Sequence, residues 1–182
     1  LQSQAKMQSV EMVKQMLKQL RGTPKGLSQK LSMELAKGNF SKAADLLRQY
    51  QKQISEGKLS EEDMKKLKQQ LSNLSKQLKD LANKNAEFEK ELEKAGLDKK
   101  LAKLSEKELR KALKMQGLNN EQIEKLMQKM AACKSAQNRC GQMGAAMASA
   151  ASGLGGMNGE ELSQVLVQLN AMDQIDRQMQ MS

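Results

Sequence analysis

The chain has 182 residues, of which 38% are apolar, 29% charged and 2% aromatic, with one proline, no histidine, no tryptophan and a net charge of +10. This Lys-, Leu-, Met- and Gln-rich mixture excludes a mixed α/β body and a large aromatic core, and it leaves long helices and helical bundles. Without histidine, a Gly-rich phosphate loop, a nucleophile elbow or a carboxylate–metal motif, the usual acid–base and nucleophilic sets cannot be assembled. The expectation is therefore no enzyme, no cofactor and no metal.

The first residue is Leu1, which points to a processed protein or a piece of a longer one. No segment combines a basic start, an apolar run and a small-residue cleavage site, and no apolar run reaches the roughly 18 residues needed to span a bilayer. A cytoplasmic location is expected.

In chain order, a first helix is predicted over about 2–21, where Met7, Val10, Val13, Leu17 and Leu20 share a face. That face opposes lysines, but it lacks Trp and Phe anchors, so membrane-surface contact ranks last among the partner readings. The stretch "RGTPKG" at 21–26 holds the only proline and breaks the chain. Short helices are predicted over about 28–37 and 40–56, the second with a row of Phe40, Ala43, Leu47, Tyr50 and Ile54.

A long helix is predicted over about 61–95. Its row reads Met64, Leu67, Leu71, Leu74, Leu78, Leu81, Asn85, Phe88, Leu92 and Ala95, with alternating steps of three and four over roughly five heptads. Asn85 falls where the repeat expects an apolar residue. It is read either as a buried register-setting contact or as a wet interruption, with a slight preference for the second. A short piece near 98–103 and a helix over about 106–116 follow. A second long helix is predicted over about 120–152, carrying Ile123, Leu126, Met130, Cys133, Gln137, Cys140, Gly144, Met147, Ala151 and Leu154 in the same rhythm. A Gly-rich break covers 153–159, and a last helix spans about 160–180.

The helix starts carry a repeated formula. "LSEEDM" (59–64), "LSEKEL" (104–109), "LNNEQI" (118–123) and "MNGEEL" (157–162) each place a capping Ser or Asn three residues before an acid or amide, bracketed by apolar residues. Gly38, Gly57, Gly96, Gly117 and Gly153 follow helical patterns and are read as left-handed stops. The fold class that results is all-α. It is an elongated, mostly antiparallel helical bundle or coiled coil of about seven or eight helices, the two long ones lying back along each other.

Three segments follow from composition: basic N-terminal helices over 1–57, a long coiled-coil helix with short capped helices over 58–117, and a near-neutral Met/Ala/Gly-rich part over 118–182. Charge divides as +7 over 1–59, +4 over 60–117 and −1 over 118–182. An anionic partner should therefore prefer the first third, with Lys14, Lys18, Arg21, Lys25, Lys30 and Lys37 as phosphate contacts.

Cys133 and Cys140 lie about 10 Å apart on one helix face, too far to bond to each other. They are read as small core residues, with cross-linking to a second chain as the sharper alternative. Most of the 14 methionines fall on the rows and are read as core filling. Gly144, Met147 and Ala151 form a small-residue face for close helix approach.

The functional expectation is a non-enzymatic scaffold or assembly protein acting through helix–helix association, with a protein partner or with itself. Its contact residues are the row Met64, Leu67, Leu71, Leu74, Leu78, Leu81, Asn85, Phe88 and Leu92, together with the small-residue face. The alternative is nonspecific nucleic-acid binding through the basic first third.

Overall fold

In the computed structural model, residues 2–21, 29–154 and 159–181 are described, with backbone alone at 2 and 3. The helices are α1 (Gln2–Leu17), α2 (Gln29–Ala36), α3 (Phe40–Ser55), α4 (Glu61–Ala82), α5 (Ala86–Lys94), α6 (Glu106–Met115), α7 (Asn120–Gly153) and α8 (Ser163–Met181). Tight 3-10 segments cover Lys99–Lys103 and Glu160–Leu162, and there is no strand among the described residues. The chain is an all-α antiparallel bundle, as its periodicity predicts.

Local chemistry sets the helix starts. Ser60 accepts from the Asp63 amide at 3.1 Å, and Ser105 from the Glu108 amide at 3.3 Å. Asn119 and Gln122 close a full reciprocal box, each side chain accepting from the other's amide at 2.8 and 3.0 Å. Met157 and Asn158 of the fourth predicted start lie outside the described residues. At the stops, Gly38, Gly57, Gly96 and Gly117 adopt positive φ, where a Cβ would be strained. Gly153 corrects the expectation of a left-handed stop, because it is the last residue of α7 itself. Its lack of a side chain serves packing instead: a Cβ there would stand 2.5 Å from Glu161 Cγ.

The spine is α7, whose 34 residues extend roughly 50 Å. Paired contacts run in opposite senses along it: Ser75 with Gly144, Ala82 with Gly141, Asn85 with Gln137, and Glu91 with Lys129. Helices α4 and α5 thus lie antiparallel to the spine. On another side, α1 is stitched to α7 by the buried Ser9 hydroxyl, which donates to Ser135 Oγ at 2.9 Å and accepts from Arg139 Nε at 3.2 Å. Helix α3 runs antiparallel to α8, with Arg48 on Asn170 at 3.0 Å and Gln51 on Ser163 at 3.2 Å.

Two apolar cores share the spine. The larger draws on α1, α2, α3, α4, the part of α7 from Ala136 to Ala151 with its C-cap Leu154, and α8, and so on all three compositional segments. The smaller holds Phe88, Leu92, Leu109, Leu113, Ile123, Leu126, Met127, Met130 and Cys133. Each fully buried leucine contributes about 1.5–3 kcal/mol against chain entropy, so these rows dominate stability.

The long helix predicted over 61–95 is two helices. Its ladder ends at Ala82, Asn83 is the C-cap of α4, and Asn85 occupies the N-cap of α5. Asn85 therefore sits at a helix break, not inside a continuous seam. Its side chain is turned toward α7, where Gln137 Nε2 donates to Asn85 Oδ1 at 3.0 Å and to the Lys84 carbonyl at 2.6 Å. The two polar interruptions of the two apolar rows meet each other, so each side chain finds its partner across the helix pair.

Candidate functional site

The expected contact rows point inward. Leu67, Leu71, Leu74, Leu78, Leu81, Met147 and Ala151 are buried in the larger core, with Met64 at its margin. Phe88 and Leu92 are buried in the smaller one. Gly144 is a point of close approach between α4 and α7. Ser75 Oγ donates to its carbonyl at 2.6 Å, and a Cβ on Gly144 would meet Ser75 O at 3.1 Å and Leu78 Cβ at 3.2 Å. The small-residue face is filled by α4 of the same chain.

The expected phosphate contacts scatter. The Lys14 stem covers Gly38, and its ammonium rests on Asp176, a residue only 7% exposed, so α1 is pinned to α8 there. Lys14 is structural, which removes it from any phosphate site. Lys18 and Arg21 are exposed beside a polar recess shared with Gln77, Asp80 and Lys84. Gln77 caps the chain there, accepting from the Arg21 amide at 3.0 Å and donating to the Arg21 carbonyl at 3.1 Å. Lys30 and Lys37 are exposed near the two ends of α2, and Lys25 lies outside the described residues. Arg48 and Lys58 are engaged by Asp45 and Glu56, each at 2.9 Å. The apolar face of α1 is also spent, since Val10, Val13, Leu17 and Leu20 are buried in the larger core.

Two features escaped the sequence reading. One is the Ser9–Ser135–Arg139 stitch, which has no base to activate a hydroxyl and ties helices together. The other is a groove of about 260 Å³ between α2 and α3. Met33 and Leu46 line it, with Lys30 and Glu34 on one helix and Lys42 and Asp45 on the other. Met33 is 46% exposed. Among the described residues, no three His, Cys, Asp or Glu side chains are grouped to hold a metal ion, and no helix is long and apolar enough to cross a membrane.

Cys133 and Cys140 are both buried and form no disulfide, in the smaller and larger core respectively. Desolvation pushes each thiol up to about 12; at Cys133 the nearby Glu87 and Glu91 add to the shift. Both face packing partners of their own chain, which removes the geometry needed for cross-linking to a second copy. Alkylation by iodoacetamide at pH 8 is expected to run on the order of 1,000-fold slower than in urea, because the thiolate fraction falls with every pKa unit. The sign for stability follows from linkage. The folded thiols stay protonated after unfolded ones ionise, so stability is fully present below about pH 8.5 and falls as pH rises toward 12, by about 2 kcal/mol per thiol at pH 10. Rapid native labelling of either cysteine would contradict this packing.

A scan against family models and searches of curated proteins and solved structures return no match to the chain.

Proposed function

We propose that the protein is a non-enzymatic helical scaffold or assembly component that works by helix–helix association, and that its contact surface is the α2–α3 groove. The observation that carries this reading is Met33, a large apolar side chain left 46% exposed above Leu46 while the leucine rows are closed inside the chain. The occupant is a second copy. Each rim carries one cation and one anion, Lys30 with Glu34 and Lys42 with Asp45, so a twofold axis sets Lys30 against Asp45 and Glu34 against Lys42. The inner rows give the body its rigidity and the groove gives it valency.

The patch is small, so association is weak, with a Kd on the order of 100 μM. Sedimentation equilibrium across the micromolar range tests it. The expected result is a reversible monomer–dimer equilibrium that Met33→Glu shifts to monomer while helicity is unchanged. A monomer at every concentration, or a dimer indifferent to Met33→Glu, would overturn the assignment.

Nonspecific nucleic-acid binding through the first third is the weaker reading. With Lys14 paired to Asp176 and Arg48 to Asp45, two of the cations that reading draws on are engaged within the chain, and the rest are spread over 59 residues.

A further inference from the structure

The concentrated positive field lies elsewhere. Helix α6 is held to the smaller core by Leu109 and Leu113, both fully buried. Helical geometry then directs Lys107, Lys111, Lys114 and Met115 to the opposite face. All four are exposed, and Met115, at 89%, is the most exposed large apolar residue among those described. The 3-10 segment that packs beside α6 adds exposed Lys99, Lys100 and Lys103. Among the described residues none of these six lysines forms an ion pair.

The neighbouring acids are mostly committed. Asp98 caps the Lys100 amide at 2.9 Å, and Glu124 holds Arg110. Glu106 and Glu108 sit in the first turn of α6, where the helix dipole favours them. Six unpaired lysines within 16 residues therefore face only two uncommitted carboxylates on their own segment.

We propose that this α6 end of the bundle docks on an anionic lipid bilayer, its lysines over the headgroups and Met115 inserted at the acyl boundary. The pairing of an outward methionine with lysines on one face is what selects a bilayer. An apolar side chain gains by leaving water for the interface, and lysine stems reach back to the phosphates. A nucleic-acid strand would gain little from Met115, and residues 98–118 hold no aromatic side chain on which bases could stack.

Flotation of the full chain with vesicles of phosphatidylglycerol and phosphatidylcholine tests this, against vesicles of phosphatidylcholine alone. Each lysine near such a surface is worth about a fivefold change in partitioning, so Lys107→Ala/Lys111→Ala/Lys114→Ala should weaken binding on the order of 100-fold. The control Lys65→Ala/Lys68→Ala/Lys76→Ala removes equal charge from exposed positions on α4 and should change binding by less than about fivefold. Met115→Ser should weaken it about tenfold at unchanged charge. Far-UV circular dichroism confirms that each variant keeps its helices. Equal loss in both triple variants, no binding to the anionic vesicles at physiological salt, or duplex DNA bound through the same lysines while vesicles are ignored would each overturn the proposal.

Discussion

Replacing Gly144 with leucine is expected to cost about 3 kcal/mol of unfolding free energy, at the upper end for overpacking. The helical backbone would welcome the change, because leucine is the better helix former by nearly 1 kcal/mol. Packing decides the sign. A bare Cβ would already stand 3.1 Å from the Ser75 carbonyl and 3.2 Å from Leu78 Cβ and Lys79 Cγ, so a larger side chain must push α4 off the spine. The 2.6 Å bond from Ser75 Oγ to the Gly144 carbonyl would be lost with it. One turn away Gly141 supplies the contrast. A Cβ there would lie 3.5 Å from Ala82 Cβ, an ordinary contact, so Gly141→Ala should stabilise by about 0.5–1 kcal/mol through helix propensity. Urea unfolding followed at 222 nm measures both. Equal effects at the two glycines would mean that the small-residue face does not abut α4.

The second large effect belongs to the smaller core. Leu113→Ala removes one of the two fully buried side chains that hold α6, and the expected cost is about 3 kcal/mol. The consequence should be local before it is global. Amide exchange across 98–118 should accelerate by roughly 100-fold, while α4 amides facing the larger core hold their rates until the whole chain opens. The division follows from the cores. The apolar contacts of residues 106–115 belong to the smaller core, with the exposed Arg110–Glu124 pair as a further tie to α7, whereas α4 lies in the larger one. Uniform acceleration along the chain would show that the two cores unfold as one unit.

Much of this architecture was legible because its signals are local. Ser60, Ser105 and Asn119 cap as their spacing predicts, since a cap depends only on the next three residues. The burial of the leucine rows follows from a period that persists whatever the partner is. The break at 83–85 was hidden by the same period. Leu81 and Phe88 remain seven apart across it, so the apolar rhythm resumes in register after its one missed beat at Asn85. Asn83 and Asn85 are the residue types that favour helix ends, but what holds the break is Gln137, 52 residues away from Asn85. A one-dimensional pattern contains no such pairing.

The same limit explains the rows and the lysines. Periodicity says that Leu67 or Leu78 must be covered, and it is silent on whether the cover comes from another chain or from α7. Net charge by thirds pointed to residues 1–59, yet Lys14 is consumed by Asp176 on the far end of the chain. The denser basic end at 99–114 was diluted in that sum by the acids of α4 and α5. Met33 left no signal at all, because its exposure depends on how α2 settles on α3.

The helices could close on each other within one chain or between chains, and a designed cross-link separates the two. A Cβ at position 141 falls 3.5 Å from Ala82 Cβ, within the range a disulfide needs. Oxidising Ala82→Cys/Gly141→Cys, with the two native thiols shielded in their cores, should give near-complete intrachain bonding and a monomer band on a non-reducing gel. A ladder of covalent dimers, or cysteines that stay free under the same oxidant, would contradict a bundle closed along its own α7.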